Sequence, residues 1–419
     1  IIAGTLWGWI KSLPDYRCGR KTRHQQAAVI MLVLLGILAG KMTYRSIQRW
    51  AVRNQEKLKR YIGIDGGIPS ISTFSRILGK LDPVLFEMAF IGWMADVINT
   101  DGKHLAIDGK AILAATSRVS GGSTPYVLNA IETETKLVVG VRAIPEKSGE
   151  QTQIPELLNT MGISGSIVTI DAIGTTPKIA STILKLGGHF VLQVKKNQPE
   201  LYKDIMYQFD DLSSEKEDRK AFEKHYRDTY TEYQSSAKNR ERQEYRTMEA
   251  FTEAKEVRDF WKKIICLGSI GRLTQIRIKK IRSPGGEDIT PALEEFLRHG
   301  SSEQKTASSE DEADAPVQRT GLISDMPFDA EQLAKYKRDH WAVENSLHYI
   351  LDETYQEDKS TIRRGMAVMS VIRKTAYNII RIIAQKTGRM KELFRVIYEE
   401  VAGNWEMAIK YIFQSVRID

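Results

Sequence analysis

The chain has 419 residues, 42% of them hydrophobic and 27% charged, enough for two or three domains with cores of their own and too apolar for a disordered polymer. Two cysteines, Cys18 and Cys266, leave no room for a disulfide framework or a cysteine-based zinc site and fit a reducing cytoplasm. The net charge of +8 is unevenly placed, since residues 1–100 hold 14 basic and 6 acidic side chains, which is the whole excess. That segment reads as a basic module on a neutral body, suited to a polyanion through counterion release; the plainer reading is a solvated basic surface.

The first strong feature in chain order is the apolar run AAVIMLVLLGILAG at 27–40. At 14 residues it falls short of the ~20 that span a bilayer, so it predicts a buried core helix, and no A-x-A site follows that would mark it as an export signal. Tyr44, Ile47, Trp50 and Ala51 recur at helical spacing, IDGGIPS at 64–70 breaks the pattern, and Ser70 and Ser72 offer caps for a helix carrying Phe74, Ile77 and Leu78. The pair resembles a loose helix-turn-helix.

From residue 104 the period becomes that of strands: HLAID (104–108), YVLNAI (126–131) and LVVGVRAI (137–144) predict an antiparallel meander. Helices and strands then alternate: helix 151–160, strand IVTID (167–171), helix 177–186, strand HFVLQV (189–194), helix 199–209. This order predicts an α/β sheet in which 104–108 and 167–171 can lie side by side. From about 225 to 323 RDTYTEYQ, YRTMEAF, KKIICLGSI, LTQIRIKKI and VQRTGLIS predict a mainly β insertion, interrupted by a disordered acidic loop at 301–316. Helices return at 329–337, 339–354 and 362–385. The expected division is 1–100, a helical basic module; 101–224, the first part of the core; 225–325, the insertion; and 326–419, helices completing the core.

Three carboxylates stand out. Asp108 and Asp171 each end an apolar strand and precede a small residue, where an α/β sheet presents functional groups; as Asp-Gly and Asp-Ala they also suit a turn or cap. In the 339–354 helix, Trp341, Val343, Leu347, Ile350 and Leu351 form an apolar stripe with Glu344 and His348 at i and i+4 beside it. A partly buried Glu344 needs a partner, either Arg338 or Lys337 in a structural pair or a metal ion. An all-carboxylate set suits hard divalent ions, and two of them could serve an in-line phosphodiester displacement. Zinc is disfavoured for want of clustered His or Cys.

HLAIDGKAI (104–112), KSGEQTQIPELL (147–158), IVTIDAIG (167–174), VKKNQPELYKDI (194–205) and RDHWAVENSLHYILDETYQEDKSTIRRG (338–365) resemble the H-repeat-associated branch of the DDE insertion-sequence transposases, and 68–78 resembles the family's amino-terminal domain. The resemblance implies an RNase H-like core with a β insertion, a catalytic triad of Asp108, Asp171 and Glu344 holding two Mg²⁺ or Mn²⁺ ions, and metal-dependent cleavage and transfer of DNA strands. The chain departs from the family pattern at Gly174-Thr175-Thr176, at Gly149 and Gln151, and at Lys238-Asn239-Arg240.

Double-stranded DNA, as terminal inverted repeats and target, is the expected partner of a prokaryotic, cytoplasmic, nucleoid-associated homodimer or larger assembly, with no membrane role. Lys110, Lys147, Lys195, Lys196, Arg240 and Arg338 are candidates for DNA contact, and Asn197 or Gln198 for positioning. For Lys195-Lys196 a solvated turn is the alternative. A catalytically weak or silent DNA-binding relic and a nuclease that cuts without joining are the competing functions.

Overall fold

The computed structural model describes residues 4–17, 22–112, 126–144, 149–215, 226–238, 242–252, 267–279 and 317–418. The expected acidic loop at 301–316 and both cysteines lie outside them. The chain forms two compact units: Ile1–Val168 with Thr182–Gly188 and Asp339–Asp419, and Thr169–Ser181 with His189–Arg338.

The first unit opens with helices α1 (Leu6–Ser12), α2 (Gln26–Leu38), α3 (Tyr44–Arg53), α4 (Gln55–Lys59), α5 (Ile71–Leu78) and α6 (Pro83–Val97). The apolar run forms α2, buried at every position but Ala27, and among the described residues no helix is long and apolar enough to cross a membrane. Thr43 and Ser46 form a capping box at the start of α3, and Ser70 Oγ accepts the Thr73 N–H at the start of α5, so both helices begin where short hydroxyl side chains satisfy open amides. Tyr44 stacks on Phe74 at 6.0 Å between ring centres. The opposite face of α3 exposes Arg45, Arg49 and Arg53.

Strands β1 (His104–Ala111), β2 (Tyr126–Glu132) and β3 (Val138–Ile144) form the predicted antiparallel meander in this unit. Helix α7 (Glu150–Asn159) follows, and then β4 (Ile167–Ile170), whose first residues belong to this unit; the Ile167 N–H donates to Lys103 O at 2.9 Å, immediately before β1. Beyond the second unit the chain returns as the 339–353 helical segment and the long helix Met366–Lys386. That helix covers the edge strand: Asn378 accepts the Val138 N–H and donates to Val138 O, closing hydrogen-bonding groups that an open edge would expose.

Helix α8 (Pro177–Lys185) is divided between the units, its residues up to Ser181 belonging to the second and those from Thr182 to the first. In the second unit β5 (His189–Val194) and α9 (Pro199–Glu215) continue the strand and helix alternation, and β6 (Tyr230–Lys238), β7 (Arg242–Phe251) and β8 (Ser269–Lys279) form an antiparallel meander. β9 (Val317–Ser324) pairs with β8 on one side and β5 on the other. The last strand of the expected insertion is therefore a strand of the core sheet that ties the meander to it. Arg272 of β8 secures the join, buried against Glu249 of β7 and Asp210 of α9. The fold is α/β, with an RNase H-like core preceded by a helical region.

One buried acid makes stability pH-dependent. Glu87 of α6 is 2% exposed, with one oxygen accepting the Ala143 N–H at 2.8 Å and Arg142 3.9 Å from the other. Burial pushes its carboxyl up to about 7, against the pull of the Ala143 amide and of Arg142 and Lys374. A raised acid favours the folded state fully only below its unfolded value, and that stability is lost as pH rises through the folded one. Glu87→Gln is expected to remove a decline of about 3 kcal/mol between about pH 5 and 8. Denaturant midpoints over that range check it; a wild-type slope retained in the variant refutes it.

Candidate active site

Asp108 lies in the middle of β1, opposite Asn129 of β2, so its Asp-Gly pair is not a turn. A Cβ on Gly109 would collide with Glu150 of α7 and with the Tyr126 ring, so glycine is what lets both close on the strand between Asp108 and Lys110. Gly109→Ala is expected to cost about 1–3 kcal/mol through overpacking and to displace Asp108; a variant with the wild-type melting temperature counts against this.

Asn129 is fully buried. Its Nδ2 donates to Val127 O at 3.1 Å and to His348 Nε2 at 3.3 Å, while its Oδ1 has no hydrogen-bond partner among the described residues. With Nε2 accepting, the proton of the neutral imidazole sits on Nδ1, which faces Asp108 Oδ2 at 3.8 Å. Burial, with Lys110 and Lys374 adding to it, pushes His348 down to about 3, so the ring is neutral across the working range. Asn129 is a buried polar residue in the otherwise apolar strand YVLNAI, and that is the signal by which it could have been found.

Glu344 begins a π-turn, Glu344–His348, which runs into α11 (Tyr349–Glu353), α10 being Ala330–His340. Val343, Leu347 and Leu351 are buried as the stripe predicts, but Glu344 is exposed and His348 is the more covered of the two. The expected partial burial of Glu344 is therefore corrected. A π-turn widens the helix and breaks the 3.6-residue phase on which that expectation depended, and such turns recur at functional sites.

Lys110 is 8% exposed. Its ammonium stands 2.8 Å from Asp352 and 3.1 Å from Asp358, with Glu357 at 4.0 Å. Burial lowers its pKa, but the three carboxylates outweigh burial and hold it above the ordinary lysine value. An ammonium so enclosed is poorly placed for the DNA contact expected of it. Behind it Glu357 is buried with Arg373 at 3.6 Å, and Lys374, fully buried, donates to Ser370 Oγ.

In the second unit Asp171 does act as a cap, its Oδ1 accepting the Ile173 and Gly174 N–H groups. Asn197 Nδ2 donates to Ala172 O at 2.7 Å and Gln198 Nε2 to Thr175 O at 2.8 Å, so both hold the loop that presents Asp171. Thr175, where the family pattern differs, donates to Gln193 O. Lys337 donates to Gln193 Oε1 at 2.7 Å. Lys195, Lys196 and Arg338 are exposed; Lys147 and Arg240 lie outside the described residues.

In the first unit Asp108 stands opposite Asn129, whose amide oxygen has no partner among the described residues. Oxygen donors of this kind suit magnesium, which takes one or two protein carboxylates and keeps several waters. Among the described residues no group of three or more His, Cys, Asp or Glu is placed to hold a metal ion.

An antiparallel meander followed by alternating helices and strands, with an aspartate inside its first strand, is an RNase H-like arrangement. The family described as transposase DDE domain matches residues 99–379, and the DDE_Tnp_1-associated family matches residues 7–94; the chain belongs to the DDE transposase family. It is similar to YhhI, an H repeat-associated protein of Escherichia coli (strain K12) named as a transposase, at 31% identity over 379 residues, covering 88% of this chain and 89% of that one. YbfL of the same strain gives the same identity and coverage. YncI of Escherichia coli O157:H7, also named as a transposase, is 29% identical over 392 residues, covering 92% and 90%. A piggyBac transposase synaptic complex with hairpin DNA is similar at a TM-score of 0.38 and 12% identity, covering all of this chain and 83% of that one. The sequence relatives place the chain in the H repeat-associated branch.

Proposed function

We propose that this protein is a metal-dependent transposase that cuts DNA at the ends of an insertion sequence and joins them to a target, acting as a homodimer or larger assembly at the nucleoid. The observation that carries this reading is Asp108 within β1, opposite Asn129 with its amide oxygen unpartnered among the described residues, and in the compact unit that also holds Glu344. Asp108, Asp171 and Glu344 would hold two Mg²⁺ or Mn²⁺ ions, which when bound supply an activated nucleophile and stabilise the leaving oxygen. The neutral His348 ring stands 3.8 Å from Asp108, while Asn197 and Gln198 fix the Asp171 loop. Lys195, Lys196 and Arg338, with Lys147 and Arg240, are the proposed phosphate contacts.

The test is cleavage and strand transfer on labelled duplexes from the DNA flanking the element. Mg²⁺ or Mn²⁺ should support both steps, and Ca²⁺ should support binding alone. Full activity in excess chelator refutes the reading, binding without cutting favours the silent relic, and cutting without joining favours a nuclease.

The exposed arginines of α3 give the amino-terminal module a separate test. Changing Arg45, Arg49 and Arg53 together to Gln is expected to make the slope of log K against log salt shallower by up to about 0.9 for each phosphate that these side chains neutralise. An unchanged slope excludes α3 from the DNA interface.

A further inference from the structure

Six charges meet around Lys110, all in the first compact unit: Lys110, Arg373 and Lys374 against Asp352, Glu357 and Asp358. Lys110 follows Asp108 by two residues on β1, so both side chains leave the same face, about 6.8 Å apart along the strand. Asp352 follows Glu344 by eight residues on the same helical segment, about 12 Å along its axis. The 2.8 Å contact between Lys110 and Asp352 therefore bolts the strand that carries Asp108 to the helical segment that carries Glu344. We propose that Lys110 and Asp352 are a positioning pair, which sets the separation of Asp108 and Glu344 for divalent-ion binding.

The inference rests on the assignment of Asp108 and Glu344 under the proposed function. A role in DNA contact is disfavoured by the enclosure of Lys110, because a phosphate would have to displace two carboxylates at 2.8 and 3.1 Å. Stability alone is a weak reason for such a pair, since apolar side chains of similar volume often replace a buried ion pair without loss. What apolar packing does not supply is a directed link of fixed length between two elements. Groups that orient metal ligands from behind typically change metal affinity or activity by about 10–100-fold when altered.

The test compares the full-length wild type with Asp352→Asn and with the double variant Lys110→Met/Asp352→Asn. The double variant removes one charge of each sign, so Arg373 and Lys374 still balance Glu357 and Asp358. Four quantities are read: melting temperature, affinity for a duplex as a function of salt, binding of Mn²⁺ alone to DNA-free protein by the resonance of the free ion, and cleavage turnover. The expected result for the double variant is near-wild-type melting and an unchanged salt slope, with Mn²⁺ binding weakened by at least roughly tenfold and turnover reduced by a similar factor or more. Wild-type Mn²⁺ affinity in a folded double variant overturns the proposal, and so does a salt slope shallower by about 0.9, which would make Lys110 a phosphate contact. If the double variant melts early, Asp352→Asn decides: it keeps the Lys110 and Asp358 pair, and weakened Mn²⁺ binding in the folded protein supports the proposal while unchanged binding overturns it. A wild type that binds Mn²⁺ but cuts no DNA refutes the proposed function and leaves the Mn²⁺ comparison able to decide the positioning pair.

Discussion

Glu344→Gln is expected to abolish DNA cleavage while leaving the protein as stable as the wild type. Glu344 is exposed at the start of the π-turn, and exposed substitutions away from special backbone features change stability by about 0.5 kcal/mol or less. The amide keeps the size of the side chain and removes the negative charge that the proposed ion requires. If the ion contributes about 4 kcal/mol to the transition state, turnover falls roughly a thousandfold. Duplex affinity should survive, because the change removes no cation. Melting temperature and single-turnover cleavage on one preparation separate the two possible roles: a structural partner of Arg338 or Lys337 would lose stability and activity together, and retained cleavage rules out the ligand role.

The fate of Glu344 also shows how far the sequence could be read. The meander at 104–144 and the strands at 167–171 and 189–194 were legible within a residue or two at most ends, because β-branched residues there alternate with short polar breaks. Ser70 was legible as a cap because its hydroxyl serves an amide three residues away. The π-turn was not legible, since an apolar stripe at 343, 347 and 351 is compatible with either helix phase, and the exposure of Glu344 depends on which is adopted. The partners of Lys110 were hidden for another reason: Asp358 lies 248 positions along the chain, and no local pattern relates the two. Asn129 was visible as a polar residue in an apolar strand, but its neighbour His348 stands 219 positions away. Asp108 and Asp171, read alike as strand-end aspartates, have different surroundings: one stands mid-strand against an imidazole, the other caps a turn.

The second large effect is on stability. Glu357→Gln is expected to cost about 3–5 kcal/mol at neutral pH, the range for stripping one partner from a buried ionic group. Glu357 is 1% exposed. Burial pushes its carboxyl up, but Lys374, Arg373 and Lys110 more than offset this and hold it below the ordinary value of 4.5. It is therefore ionised in the folded protein, and its contribution, present above 4.5, is lost as pH falls through the folded value. Lys374 supplies the opposite sign. Burial pushes its ammonium down to about 8, and Glu357 is the main attraction opposing that fall. Removing Glu357 lowers it further, so Lys374 must be buried charged at a greater cost or give up its proton. A base depressed on folding gains stability as pH rises towards its unfolded value. The variant should thus recover part of its loss between about pH 7 and 10, where the wild type gains less. Adding Lys374→Met to Glu357→Gln removes one charge of each sign and should restore part of the stability, the part due to Lys374, while buried Arg373 still lacks the carboxylate 3.6 Å away. Denaturant unfolding of the two variants at pH 6, 7.5 and 9 measures all three effects; a loss under about 1 kcal/mol for Glu357→Gln would mean that the cluster is far better solvated than its burial implies.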